Sequence, residues 1–578
     1  MSGAPQAAYD AIIVGSGIGG LVCAGYLAAS GRRVLVLEQH DVAGGNSQVF
    51  RRRGAFEFDV GVHYLGDCGP GGILPAVLHG LGLAGRVRLR ELDPDGFDVL
   101  SFPGTTITVP AGWQAYTDRM CAAFPGDADG IRTFTGICAR LGAVQRASLL
   151  SPSGPGGGQG APAGAPPRVL RWARRPLAAL FAHCALSLRA RTALAAQSGN
   201  YGAPPSGVDV AGHVAVLDHY LRGASYPEGG GQQLAAALVE ALEAAGGELR
   251  TRTRVERILV EGGRAAGVRL VDGSRVQAPL VVSGADYLRT VLDLTGPEHF
   301  PPQYVRRART ARMRHPVAVL YAALAPSFPR ALPANLWWHR GWDIDAAYEE
   351  LSSGHPRSLP FVFVSTASAK DPGSPHTGPP GYHNLQIMTP CAPGFTPGEG
   401  GNYRRDPAYR AEKARMRELL LDAAESALGP VRAHLVHSEY AGALTHQRFT
   451  GSSGGTPYGL ARWGQQGARP DHRTPVPGLF VVGQSGRYGS GITGVAISGI
   501  QCASHLLRRA LLPEVHAGEV LLSPDLLPAR GPGWDALRVS RGAARRALPG
   551  IAPIGRPLRN RTVVAGRRPP IEERKETP

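Results

Sequence analysis

Gly15, Gly17 and Gly20 make a G-x-G-x-x-G directly after the apolar run Ala11 to Val14, and Glu38 closes the next apolar run, Val34 to Leu37. Glycines at this spacing permit a tight turn from strand to helix. They also let backbone N–H groups approach a pyrophosphate at the positive end of the helix dipole, with Ser16 and Ile18 as further candidates for cofactor contact. A carboxylate at the position of Glu38 accepts both hydroxyls of an adenosine ribose. Ala24, Gly25, Ala28 and Ala29 are small enough for the intervening helix to pack closely, and Gly31 stops it. Strand, glycines, helix, strand and acid in this order predict a dinucleotide site; the plain alternative is a tight turn with Glu38 solvated.

Glu38 favours a free ribose hydroxyl, hence NAD or FAD over NADP. Gly44 and Gly45, with Asn46 behind them, resemble the extended motif of two-dinucleotide-binding-domain flavoproteins, which makes FAD the expected cofactor. Phe56 and Phe58 then alternate with Glu57 and Asp59 as in a strand. The segment from Gly61 leads to His63 and Tyr64, which must lie near the cofactor crevice. They are candidates for contact with flavin or substrate, and the alternative is a structural histidine beside a packed tyrosine.

A chain of 578 residues exceeds one compact core, so two intertwined domains are expected. Its net charge of +17 would ordinarily suggest nucleic acid or an anionic surface. Only three of the 62 basic residues are lysine, however, which with the abundant Ala, Gly and Pro points to codon bias and not to a nucleic-acid face. The seven cysteines are scattered without a C-x-x-C, so neither a disulfide framework nor a metal site is expected. No signal peptide or spanning apolar run is visible, which predicts a cytoplasmic protein.

The segment from Asp10 to Asn46 followed by FEFDVGVHYLGD resembles the phytoene desaturase, carotenoid isomerase and retinol saturase superfamily of FAD enzymes. The His63-Tyr64 pair, LDPDGFDVLSFPGTTITVPAG and FPGDADGI are most similar to its retinol saturase branch. Asn46 departs from the arginine that phytoene desaturases usually carry there. The resemblance implies hydride transfer between flavin N5 and a carbon-carbon bond of a polyene or isoprenoid lipid, by saturation, desaturation or isomerisation. It also implies that the backbone of Val255 packs on the adenine, whereas the residue itself reads as an ordinary strand residue.

Near the end of the resemblance, the strand Leu479 to Val482 opens into Gly483, Gln484, Gly486, Gly489 and Gly491, and a helix begins near Ile492 and Thr493. Such a helix N-terminus suits the flavin pyrimidine oxygen and stabilises the charge of the reduced ring. His446 lies in a preceding segment that resembles the one crossing the flavin; it is an acid-base candidate or a loop histidine.

Ser151 to Pro167 is low-complexity. After it, Leu170, Ala173, Leu177, Leu180, Phe181, Cys184 and Leu188 fall at helical spacing behind Arg168, Arg171, Arg174 and Arg175. This reads either as a helix on an anionic membrane surface, peripheral to the inner face, or as a buried helix with a basic lead-in.

The fold expected is α/β: a Rossmann-type FAD-binding domain (1–100, 227–290 and 471–510) with an inserted α+β substrate domain (101–226 and 291–470). Residues 511–578 are expected to be a basic, disordered tail. The partners expected are a hydrophobic substrate, a membrane surface and an electron donor or acceptor that the residues do not specify. An amine-oxidase-like flavoprotein and a prenyl binder of the GDP-dissociation-inhibitor type remain as alternatives.

Overall fold

Short runs such as Ala-Ile-Ile-Val and Val-Leu-Val-Leu have no polar side to offer water, so they form strands covered on both faces. In the computed structural model they sit in a five-stranded sheet in the order Glu248–Arg250, Val34–Leu37, Ala11–Val14, Leu280–Ser283 and Leu479–Val481. Every pair is parallel, with Ala11 opposite both Val34 and Leu280. The structure describes residues 9–151, 167–329, 331–392, 403, 406–462 and 469–546.

Two helices pack on this sheet and cross each other, the dinucleotide helix Ile18–Ala29 and the closing helix Ile492–Leu507. Their approach depends on glycine: a Cβ on Gly499 would lie 2.3 Å from the Gly19 carbonyl oxygen. An antiparallel three-stranded sheet (Val255–Glu261, Arg264–Leu270, Arg275–Gln277) covers the opposite side.

A second, seven-stranded sheet carries the larger core. Its order is Leu435–Ala441, Val317–Leu324, His383–Pro390, Phe361–Thr366, Asn335–His339, Asp98–Phe102 and Thr105–Val109. The strand Asp98–Phe102 belongs here, paired with Asn335–His339, so a boundary drawn after residue 100 would cut through it. The hairpin Val49–Arg52/Phe56–Asp59 lies against this sheet, where the Asn384 and Gln386 amides donate to the Glu57 and Asp59 carbonyls. Helices Ala128–Leu150 and Val210–Leu221 pack on each other beyond it.

One open reading is decided and one expectation is corrected. The stripe at Leu177, Leu180, Phe181 and Cys184 faces the protein core, because packing against neighbouring helices buries it as fully as lipid would. Arg168, Arg171, Arg174 and Arg175 remain exposed. Nor is the chain a disordered tail from 511: helix Leu511–His516 buries Leu511, Leu512 and Val515, and 522–546 runs as a strap along the cofactor domain. Arg530 and Trp534 both bind the Glu240 carboxylate at 2.7 Å, and the Ser540 carbonyl accepts from Ala43 N at 2.8 Å. The low-complexity stretch 152–166 and residues 547–578 lie outside the described residues.

Candidate active site

The turn after the first strand is made by Gly15 at φ +91°, a conformation only glycine adopts readily. Gly20 must also lack a side chain, since its Cβ would lie 2.6 Å from the Gly15 carbonyl oxygen. Ser16 has a role that the motif does not announce. Its N–H and hydroxyl donate to Glu38 Oε2 at 2.9 and 2.7 Å, while His40 N donates to Oε1 at 2.8 Å. Three donors thus hold the carboxylate at the end of the second strand, beside the glycine turn. Thr253 N donates to the Glu38 carbonyl, which brings the start of the Val255 strand to the same place.

Gly44 and Gly45 return to this turn. Gly44 N donates to the Ser16 carbonyl at 2.9 Å, and the Ala43–Ser540 bond holds the loop from behind. Asn46 Nδ2 then donates to Gln484 Oε1 at 3.0 Å, so the two glycine-rich motifs meet across 438 positions of sequence. Gly483 N is fixed by Ser498 Oγ at 3.1 Å, and Gly491 caps the closing helix with Thr493 in its first turn.

Gly17, Gly20, Gly44, Asn46, Gly483, Gln484, Gly491 and Thr493 line one cavity of about 1230 Å³, which also takes in His63, Tyr64 and His446, whereas Ser16, Glu38, Gly45 and Val255 are not part of its lining. Its size exceeds that of an ordinary small-molecule pocket. A Cβ on Gly17, Gly483 or Gly491 would meet nothing within 4 Å and would project into this space. Three buried polar atoms on its wall, Asn46 Oδ1, Thr493 Oγ1 and His446 Nε2, have no hydrogen-bond partner. Buried polar atoms are rarely left unpaired. Two helix N-termini, a ribose-type carboxylate, glycine-lined walls and unpaired polar atoms suit a flavin dinucleotide. Among the described residues no group of three or more His, Cys, Asp or Glu could hold a metal ion.

The flavin-containing amine oxidoreductase family matches residues 18–507, from the dinucleotide helix through the closing helix. The chain belongs to this family. Its cofactor is FAD. Zebrafish all-trans-retinol 13,14-reductase is 27% identical over 539 residues, covering 87% of this chain and 86% of that protein. Chloroplastic prolycopene isomerase 1 of an Oncidium hybrid is 28% identical over 520 residues, covering 86% and 83%. Among solved structures, a Methanosarcina mazei oxidoreductase superposes with TM-score 0.57 at 18% identity, covering 85% of this chain and 99% of its own. Putrescine oxidase gives TM-score 0.57 at 16% identity, covering 87% and 99%. These two structures show the shared fold.

Within this family member, the candidates for chemistry fare differently. His63 Nδ1–H donates to Gln386 Oε1 at 2.8 Å; burial, reinforced by the nearby Lys370 charge, lowers its pKa to about 3. His446 is lowered to about 4 by burial. Desolvation therefore keeps both neutral near pH 7, against the expectation that a histidine here titrates near neutrality. His446 also lies toward the nucleotide end. Its helix, Ala443–Thr450, carries Phe449 edge-on to His40 at 6.0 Å, and the following Ser453 binds Asp286 beyond the fourth strand.

Tyr64 instead joins a buried polar group. Its hydroxyl donates to Asp98 Oδ2 at 3.1 Å and accepts from Asn200 Nδ2 at 2.8 Å, and its ring stacks on Tyr220 with centroids 4.1 Å apart. Lys370 Nζ donates to the His63 carbonyl and Ser365 Oγ, both at 2.7 Å, and to Asn335 Oδ1. Burial lowers the Lys370 pKa to about 7, although Asp98 and Asp59 oppose the shift. Sequence reasoning missed Lys370, Asp98, Asn200, Asn335 and Gln386. One signal was present: a lysine kept in a chain that otherwise uses arginine.

Proposed function

We propose that this flavoenzyme acts on carbon-carbon bonds of a polyene or isoprenoid lipid. The observation that carries the reading is the continuity of the cofactor cavity with an aromatic wall of Tyr64, Tyr220, Trp337, Phe361 and Phe363, joined by Met388. Such a wall holds a long apolar molecule by area and ring contact and excludes water from its reacting carbons. The retinol reductase and prolycopene isomerase relatives, named for polyene reactions, support it. Bound FAD would supply hydride-transfer chemistry. The protein orients the long substrate against it, while buried His63 and Tyr64 bound the reacting end without adding a charge.

The far end of the cavity passes Leu141, Val144 and Leu149 to a rim at Arg146, Arg171 and Arg174. We propose that this rim rests on an anionic membrane face on the cytoplasmic side, from which a water-insoluble substrate enters. No described helix is long and apolar enough to cross a membrane. The electron donor or acceptor is proposed to be external, and to use the flavin crevice.

The test is the absorption spectrum of the purified protein, before and after anaerobic addition of all-trans-retinol or prolycopene, with putrescine as control and the flavin followed both oxidised and chemically reduced. A spectral change with a polyene and none with the amine supports the reading and gives the direction. A change with putrescine alone overturns it. For the rim, Arg171→Glu with Arg174→Glu is expected to abolish co-sedimentation with anionic liposomes; unchanged binding sinks that part.

A further inference from the structure

The aromatic part of the cavity holds one polar atom whose direction is dictated from deep inside the protein. Asp98 is fully buried, and its carboxylate accepts from Asn335 Nδ2 at 2.8 Å, Gln197 Nε2 at 2.5 Å, Trp337 Nε1 at 3.0 Å and the Tyr64 hydroxyl at 3.1 Å. Burial raises the Asp98 pKa, and the four donors oppose that shift by favouring the acceptor-only, ionised form. Lys370, 2% exposed, supplies the matching cation through Asn335 Oδ1. A compact ammonium with three donors meets the three acceptors around it, which a planar guanidinium would not.

The consequence passes outward one bond at a time. Because Asp98 only accepts, the Tyr64 proton points to it, and the Tyr64 oxygen is the acceptor for Asn200 Nδ2. The Asn200 amide is thereby oriented with nitrogen toward Tyr64 and oxygen away. Asn200 lines the cavity beside Tyr64, Tyr220 and Trp337, and its Oδ1 has no donor among the described residues. A chain of hydrogen bonds that starts at a buried cation therefore ends, at the cavity wall, in an acceptor.

We propose that Asn200 Oδ1 receives the hydroxyl of a polyene alcohol, which makes the substrate a neutral alcohol in preference to a hydrocarbon or a carboxylate. This rests on the polyene reading above. A hydroxyl donates to the waiting oxygen. A hydrocarbon covers that oxygen and leaves it unpaired, and a carboxylate sets acceptor against acceptor. Asn200 is the contact; Tyr64, Asp98 and Lys370 are positioning residues.

The test titrates the FAD-loaded protein with all-trans-retinol, with its hydrocarbon counterpart lacking the hydroxyl, and with retinoic acid, following tryptophan fluorescence. Retinol is expected to bind about tenfold tighter than the hydrocarbon, one hydrogen bond's worth, with retinoic acid weakest. Asn200→Leu should bring retinol to the hydrocarbon's affinity and leave the hydrocarbon within about twofold of wild type. Equal binding of all three by wild type overturns the hydroxyl site while the polyene reading stands, as does a loss in Asn200→Leu that is the same for retinol and hydrocarbon. Tightest binding by retinoic acid also overturns it. If the flavin-loaded protein binds none of the three, the polyene reading itself falls, and the hydroxyl site with it. Should Asn200→Leu fail to fold, the wild-type ranking alone decides.

Discussion

The two ends of the cavity are built by different means. At the cofactor end, backbone does the work: glycine turns, helix N-termini and close helix crossings, with Glu38 and Asn46 as the main side chains. At the substrate end the backbone lies in regular strands, and a relay of side chains from Lys370 to Asn200 gives the wall its polarity. A backbone site tolerates almost no added atom, whereas a side-chain site is tuned by which hydrogen points where.

The largest expected effect breaks the first kind of site. Gly499→Val puts a carbon 2.3 Å from the Gly19 carbonyl oxygen, far inside van der Waals contact, and forces the two cofactor helices apart. Gel filtration should then yield protein with no flavin absorbance; normal flavin content would show that the crossing is not essential. A chain ended after residue 529 should come next. It removes the bonds from Arg530 and Trp534 to Glu240 and the Ser540 carbonyl that backs the Gly44–Gly45 loop through Ala43, and FAD affinity should fall by about tenfold or more on titration of apoprotein.

The second kind of site is sharpened by pH. Burial raises the Asp59 pKa to about 6, even though Tyr226 and Gly231 donate to it. A carboxyl whose folded pKa exceeds its unfolded value stabilises the fold below about pH 4 and loses that contribution as pH rises through about 6. Asp59→Asn should therefore flatten the dependence of the urea midpoint on pH between 4 and 6, whatever it does to stability at one pH. An unchanged slope would assign it to another group. The smallest effect concerns His63: because the ring is already neutral, His63→Gln should leave the pH dependence of flavin reduction between pH 5 and 8 within about twofold of wild type. Loss of an acidic limb near 6.5 would restore the histidine as an acid-base group.

What could be read from the chain alone divides along the same line. The cofactor end was legible because its residues are neighbours in sequence, and glycines at this spacing between a strand and a helix serve little purpose besides bringing backbone close to a phosphate. Asn46 and Gln484 were each visible in their own motif, but their bond to one another was not. At the substrate end His63 and Tyr64 were visible, but Asp98, Asn200, Asn335, Lys370 and Gln386 were not, because they come from five separate segments and each taken singly is an ordinary polar residue. The arginine-rich strap was misread for a related reason. A net charge cannot show that Arg530 and Arg546 find Glu240 and Glu243 about 300 positions away. The stripe at Leu177 to Cys184 was ambiguous in kind, since helical periodicity records burial without naming what does the burying.

The strap also sets a timetable. The glycine turn leaves the ribosome first, its closing partner at Gly483 to Thr493 only after most of the chain, and the carbonyl of Ser540 that steadies Ala43 later still. The earliest-made part of the pocket must therefore wait for the latest, so fragments stalled before Gly483 should remain colourless, and nascent chains should reach full flavin affinity only once synthesis has passed the strap.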